Sequence, residues 1–176
     1  MKKKTIALVM AAIMLFGTAV GGTLAWLMDT TDEVENVFTD SHVLIDLTET
    51  TGAEYKMVPG SEIDKDPTVS VLEGSENCWL FVKIEESANL DTYIDYTVAK
   101  GWTALDGVDG VYYRENVSAG ETFSVLEGDV VTVKTSVTEA DMAAAKDAAP
   151  TLTFTAYACQ YENVATADAA WANINA

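Results

Sequence analysis

The chain has 176 residues, with 28 acidic against 10 basic side chains and a formal net charge of −18. So acidic a surface excludes nucleic acid and anionic lipid as partners, because both bind through Lys and Arg neutralising phosphate. A hydrophobic content of 49% excludes general disorder and is enough to build a sizeable core.

The first 25 residues follow the order of a secretory signal. Lys2, Lys3 and Lys4 precede an apolar run from Ile6 to Val20, and Gly21-Gly22-Thr23-Leu24-Ala25 follows. A basic start, a short apolar stretch and small residues at a cleavage position predict a signal-peptide helix that a signal peptidase removes. Thr23 and Ala25 occupy the small-residue positions, so the mature chain is expected to begin at Trp26. Gly17-Thr18-Ala19 offers a second cut. The competing reading is an uncut anchor, but a spanning helix needs about 20 apolar residues, and this run is shorter and then meets two glycines. Cleavage leaves no stable membrane span and predicts a secreted protein. It also removes three lysines and no acid, which moves the balance from −18 to −21.

Residues 26–40 read as an extended N-terminal segment and residues 41–176 as one β-sandwich domain. No Gly/Ser-rich or Pro-rich linker divides the mature chain. In the N-terminal segment Trp26, Met28, Val34 and Phe38 fall at even positions and would share one face of a strand, since side chains alternate. Asp29, Glu33 and Glu35 take the other face, where Val37 interrupts the pattern.

Beyond it, alternation and β-branched content predict strands over 43–47, 68–72, 79–84, 93–98, 111–113, 130–134 and 151–157. Turn chemistry separates them at Pro59-Gly60, Glu73-Gly74-Ser75, Asp106-Gly107, Asp109-Gly110 and Glu127-Gly128-Asp129. Two short helices are expected. Thr138 caps the first, from Glu139 to Ala148, with Asp141 in the capping-box position and Pro150 as its stop. Thr166 caps the second, from Ala167 to Ile174, which Trp171 would pin to the strands. The pattern predicts an all-β, antiparallel sandwich.

Cys78 and Cys159 both lie in apolar runs of the exported part. Export permits a disulfide, which would close a loop of about 80 residues and contribute up to about 4 kcal/mol. The alternative is two buried small hydrophobes.

Catalytic motifs are wanting. His42 is the only histidine, so the two imidazoles of a zinc-peptidase helix cannot be assembled, and no G-x-S-x-G elbow is present. Asp106 and Asp109 stand three apart instead of alternating as a calcium loop requires, and they read as Asp-Gly turns. No catalytic residue, metal ligand or cofactor is expected, and the chain is read as no enzyme. Trp79, Phe81, Tyr96, Phe123, Phe154 and Tyr157 read as core. Trp102 lies outside the clearest strands and could offer a sugar a flat platform.

Several stretches, in their order, resemble the TasA/camelysin-type family of bacterial proteins exported through a dedicated SipW-type signal peptidase. They are Gly21 to Leu27 with its acidic lead to Phe38, Val58-Pro59-Gly60-Ser61 with Lys65-Asp66-Pro67, Val111 to Glu115, and Pro150 to Ala158. The resemblance implies a jelly-roll sandwich in a Gram-positive biofilm matrix or on a cell surface. It also implies fibres in which the mature N-terminal segment, here Trp26, Met28, Val34 and Phe38, completes the sheet of the next subunit. Partners would be further copies of the chain, and a related matrix protein. This chain is shorter than the TasA pattern and carries two cysteines. Two alternatives stand beside that reading: a monomeric adhesin or ligand-binding sandwich in which residues 26–38 fold back on their own domain, and a camelysin-like peptidase.

Overall fold

A strongly apolar run, Cys78-Trp79-Leu80-Phe81-Val82, opens a nine-residue strand, Cys78–Glu86, that is buried on both faces. The computed structural model describes residues 42–52 and 55–176. All of them belong to the second of the two units, Met1–Thr39 and Asp40–Ala176, into which the chain divides. The signal segment, the cut at Thr23, Ala25 and Trp26, and the positions Met28, Val34 and Phe38 lie outside the described residues.

The elements in order are β1 (Ile45–Thr48), β2 (Glu62–Asp64), β3 (Thr68–Val71), β4 (Cys78–Glu86), α1 (Leu90–Tyr93), β5 (Ile94–Asp95), β6 (Thr103–Ala104), β7 (Val111–Val117), β8 (Thr122–Ser124), β9 (Val130–Val133), α2 (Glu139–Asp147), β10 (Leu152–Gln160) and α3 (Ala167–Ile174). They form three sheets, β1-β3-β8, β10-β4-β7-β6 and β2-β9-β5, and every pairing is antiparallel.

Alternation along β4 divides the packing. Cys78, Leu80, Val82 and Ile84 face Val69 and Val71 of β3 and the half-buried Ile45 and Leu47 of β1, so the first two sheets share one core. Trp79 and Phe81 point the other way and are covered by α3 through Ala167, Ala170 and Trp171. The Trp171 ring lies 5.3 Å from Phe81 and 5.3 Å from Tyr157, which pins the helix as its sequence suggested. Each fully buried aliphatic or aromatic side chain here contributes about 1.5–3 kcal/mol. A third cluster joins Val133 of β9 and Tyr93 to Val137 and Ala145, and so seats α2.

Both expected helix caps are present. Thr138 accepts from Asp141 N while the Asp141 carboxylate accepts from Thr138 N, a reciprocal capping box. The Thr166 hydroxyl accepts from Ala169 N at 3.2 Å.

Two expectations need correction. Among the described residues three α-helices are present instead of two, because Leu90–Tyr93 forms a short turn of helix. Leu90 and Tyr93, three apart, are both buried, a spacing that one helical face satisfies and an extended strand does not. The strand expected over 93–98 is therefore reduced to Ile94–Asp95, with an isolated bridge from Val98 to Leu126. The short strands β2, β6 and β8 went unread in the sequence, since two or three residues carry no periodicity to detect.

At the expected turn before β7, Gly110 adopts φ +70°, and its carbonyl accepts from Ile84 N at 2.8 Å. A Cβ there would collide with the Ile84 carbonyl oxygen, a main-chain atom that cannot swing aside. Gly110→Ala is therefore expected to destabilise the fold by about 1–3 kcal/mol from backbone conformation alone. Gly107→Ala serves as the comparison: that position also has positive φ (+74°) but open space around it. Equal melting temperatures for the two variants would contradict the collision.

Candidate functional site

Strand β10 is the longest edge strand among the described residues. Its nine residues pair along one side with β4, from Leu152 opposite Glu86 to Gln160 opposite Cys78. Among the described residues no strand pairs with its other side. Leu152, Phe154, Ala156 and Ala158 turn their half-buried side chains toward the shared core. An edge of this length presents a row of main-chain donors and acceptors to any added strand.

A groove of about 600 Å³ begins where β10 begins, with Leu152 and Thr153 in its wall. Met57, Ile63, Ile94 and Val131 supply an apolar lining, and Lys65 adds one cation. Lys65 is buried, and its Nζ lies 2.6 Å from Glu49 Oε1. The ammonium sits 5.2 Å from the Tyr55 ring centre and 5.4 Å from that of Phe154 on β10. Tyr55 donates its hydroxyl to Glu49 Oε1 at 2.7 Å. Burial pushes the Glu49 carboxyl up, but hydrogen bonds from Lys65 and Tyr55 outweigh it and hold the group below its ordinary value. Next to Lys65, Asp66 accepts from the hydroxyls and main-chain N–H groups of Thr50 and Thr51, and its pKa falls to about 2, led by the Thr50 hydroxyl. The end of β1 is thus tied to the strand-to-strand link that carries Lys65. Neither Lys65 nor Glu49 was legible as a pair, because 16 positions separate them and only the fold brings them together.

Cys78 and Cys159 lie on neighbouring strands but are not bridged. The register explains it. Cys159 stands opposite Trp79, and Cys78 opposite Gln160, so a one-residue offset sends the two thiols to opposite faces of the sheet. Cys78 is buried, and burial, with smaller contributions from Cys159 and Glu121, pushes its thiol up to about 11.

His42 is exposed, ahead of β1, with its carbonyl accepting from Glu76 N. Among the described residues no three His, Cys, Asp or Glu side chains converge as metal ligands. Nor is any described helix long and apolar enough to cross a membrane. Trp102 is buried, with Nε1 donating to Ser124 O at 2.9 Å, so it offers no open platform for a sugar.

The cysteine geometry has a direct test. Intact mass of the folded protein under oxidising conditions should show two free sulfhydryls, with Cys78 resisting iodoacetamide at pH 8 until denaturant is added, since the thiolate is the reactive form. A two-dalton deficit would overturn the register argument.

No family model, no curated protein and no solved structure matches this chain.

Proposed function

We propose that the chain is exported and serves as a non-catalytic structural protein of a bacterial extracellular matrix or cell surface, assembling with copies of itself. In this reading residues 26–38 of one copy add along the free side of β10 in the next. Main-chain hydrogen bonds would supply affinity, and alternate side chains would supply fit. The observation that carries the reading is the nine-residue edge of β10, paired on one side only among the described residues and opening at Leu152 into an apolar groove. The alternation of Trp26, Met28, Val34 and Phe38 matches the occupant such an edge requires.

A head-to-tail contact of this kind joins two different surfaces and does not close on itself, so it yields a filament. Jelly-roll connectivity and secretion belong to the same proposal. They rest on the basic-apolar-small order of residues 1–25 and on the family resemblance, and a related matrix protein could contribute the donor in place of a second copy.

The test is Phe38→Asp in the mature chain beginning at Trp26. The substitution forces an unpaired carboxylate into an apolar setting, at a cost of several kcal/mol. Sedimentation should show assembly in the unmodified protein and its loss in the variant, with circular dichroism unchanged. Filaments that survive the substitution, or an unmodified protein that remains monomeric at every concentration, would contradict strand donation. The second outcome would favour residues 26–38 folding back on their own domain.

A further inference from the structure

Arg114 is the single arginine of the sequence, and its surroundings differ from those of every described lysine. Lys65, Lys83, Lys100 and Lys134 each hold a carboxylate, at distances from 2.6 to 3.3 Å. Lys56 and Lys146 stand in solvent. Arg114 is half-buried and forms no ion pair among the described residues, in a chain with 28 acidic side chains. Chance pairing should have found it a carboxylate more readily than it found one for any lysine.

The group is also fixed. Its guanidinium carbon lies 4.1 Å from the centre of the Phe123 ring and 4.9 Å from that of Trp102. Nη2 donates to Lys100 O at 2.8 Å, while Nε is buried without a hydrogen-bond partner. Gly101, at φ +90°, makes the room: a Cβ there would fall 2.6 Å from Nη1. Trp102 is itself held through Ser124. The sequence around it contributes one more device. Leu80 stands opposite Arg114 and Cys78 opposite Val117, so β7 carries an extra residue between them, a bulge at which Asn116 takes φ +51°. The bulge keeps both Arg114 and Val117 on the core side, and bulges commonly re-aim side chains beside binding sites. Strand β6 pairs only with Tyr112 and Tyr113, so the chain from Arg114 onward is left open on that side.

A pocket of about 370 Å³ occupies the opening, lined among others by Thr103, Tyr113, Arg114, Asn116, Glu121 and Phe123. Its two acids each accept from another group, and Glu121 acts on Arg114 through space without reaching ion-pair distance. Glu121 Oε2 accepts from Ser118 N at 2.7 Å, and Glu115 Oε1 accepts from the Tyr161 hydroxyl at 3.0 Å.

We propose that this pocket binds a small hydroxylated carboxylate of the sugar-acid type, with Arg114 receiving the carboxylate. A planar guanidinium matches a carboxylate in two parallel hydrogen bonds, and here it is stacked in place before any ligand arrives. Glu121 and the acidic chain penalise a dianion more than a monoanion, which favours carboxylate over phosphate. The Thr103 hydroxyl and the Asn116 amide, whose oxygen already accepts from Asn77 Nδ2 at 2.9 Å, bring groups that suit hydroxyls, and the volume falls in the range of small-molecule sites. Long-range repulsion works against polyanions and against an acidic side chain of a second copy, so a single small unit is the occupant.

The experiment is an amide and Arg Nε–H NMR titration of the 26–176 chain at low salt with glucuronate, and with glucose and inorganic phosphate as probes of charge and shape. Glucuronate should shift Arg114 Nε–H and the amides of Gly101 and Glu121 saturably, phosphate more weakly, and glucose not at all. Arg114→Gln should weaken glucuronate binding about tenfold or more. Glu121→Gln leaves the Arg114 stack intact, removes a repelling charge and should tighten binding roughly threefold. That opposite sign keeps the test decisive should Arg114→Gln fail to fold by circular dichroism. The proposal is overturned by equal responses to glucose and glucuronate, by no response near Arg114, or by glucuronate affinity indifferent to Glu121→Gln. It is also overturned when Arg114→Gln alters only sedimentation, which would assign the guanidinium to an acid of a second copy.

Discussion

Strand β4 must satisfy two hydrophobic cores at once, and most of the architecture follows from that. Leu80, Phe81 and Val82 are consecutive and all fully buried, which no strand with a solvent-facing side permits. One face therefore needs a second sheet and the other needs a cover. The β1-β3-β8 sheet supplies the first and α3 the second. Helix α3 is thus a structural layer over Trp79 and Phe81, and its Thr166 cap matters because the helix has only eight residues with which to hold its place. The same alternation separates Cys78 from Cys159. A bridge would require one of them to leave its core, and the packing of Trp79 opposite Cys159 forbids the one-residue slip that would align them.

What was legible in the sequence follows the strength of its local signals. Strands β3, β4, β9 and β10 could be read because β-branched and aromatic residues alternate over four or more positions. The capping residues Thr138 and Thr166 could be read because a cap acts within three residues of itself. The run from Tyr93 to Val98 misled, because its alternation is real but Leu90, before the run, draws Tyr93 into a helical turn. Strands β6 and β8 were beyond reach: Thr103–Ala104 and Thr122–Ser124 are held by their neighbours β7 and β3 and have no pattern of their own. Arg114 carried a signal that composition could have given, since one arginine among so many acids is conspicuous, but its rings, Trp102 and Phe123, lie 12 and 9 positions away and only the sheets bring them together.

The cations show how an acidic protein places scarce positive charge. Lys134 bridges Asp91 and Asp95, tying α1 and β5 to the end of β9. Lys65 ties the end of β1 to the mouth of the groove beside β10. These pairs sit at junctions between elements, where a carboxylate alone would be repelled by its neighbours. Exposed pairs contribute little individually. The Lys65 pair differs because Lys65 is itself buried beside the Tyr55 and Phe154 rings, so loss of Glu49 would leave its ammonium unpaired in an apolar wall.

Charge also sets the terms on which copies could meet. Each mature copy would carry about −21 at neutral pH, so approach is opposed at long range, while the main-chain hydrogen bonds of an added strand are indifferent to net charge. Screening should then decide the rate. The Debye length falls from about 30 Å at 0.01 M salt to about 8 Å at 0.15 M, which removes most of the repulsion without touching the apolar fit of Phe38 or the hydrogen bonds along β10. Assembly through residues 26–38 is therefore expected to accelerate as sodium chloride rises across that range, followed by light scattering at fixed protein concentration. A carboxylate held by Arg114 must behave in the opposite way, since its attraction is screened by the same ions. Assembly that slows with salt would mean that charge attraction, and not strand addition, draws the copies together. The two sites are thus separable by the sign of one salt titration.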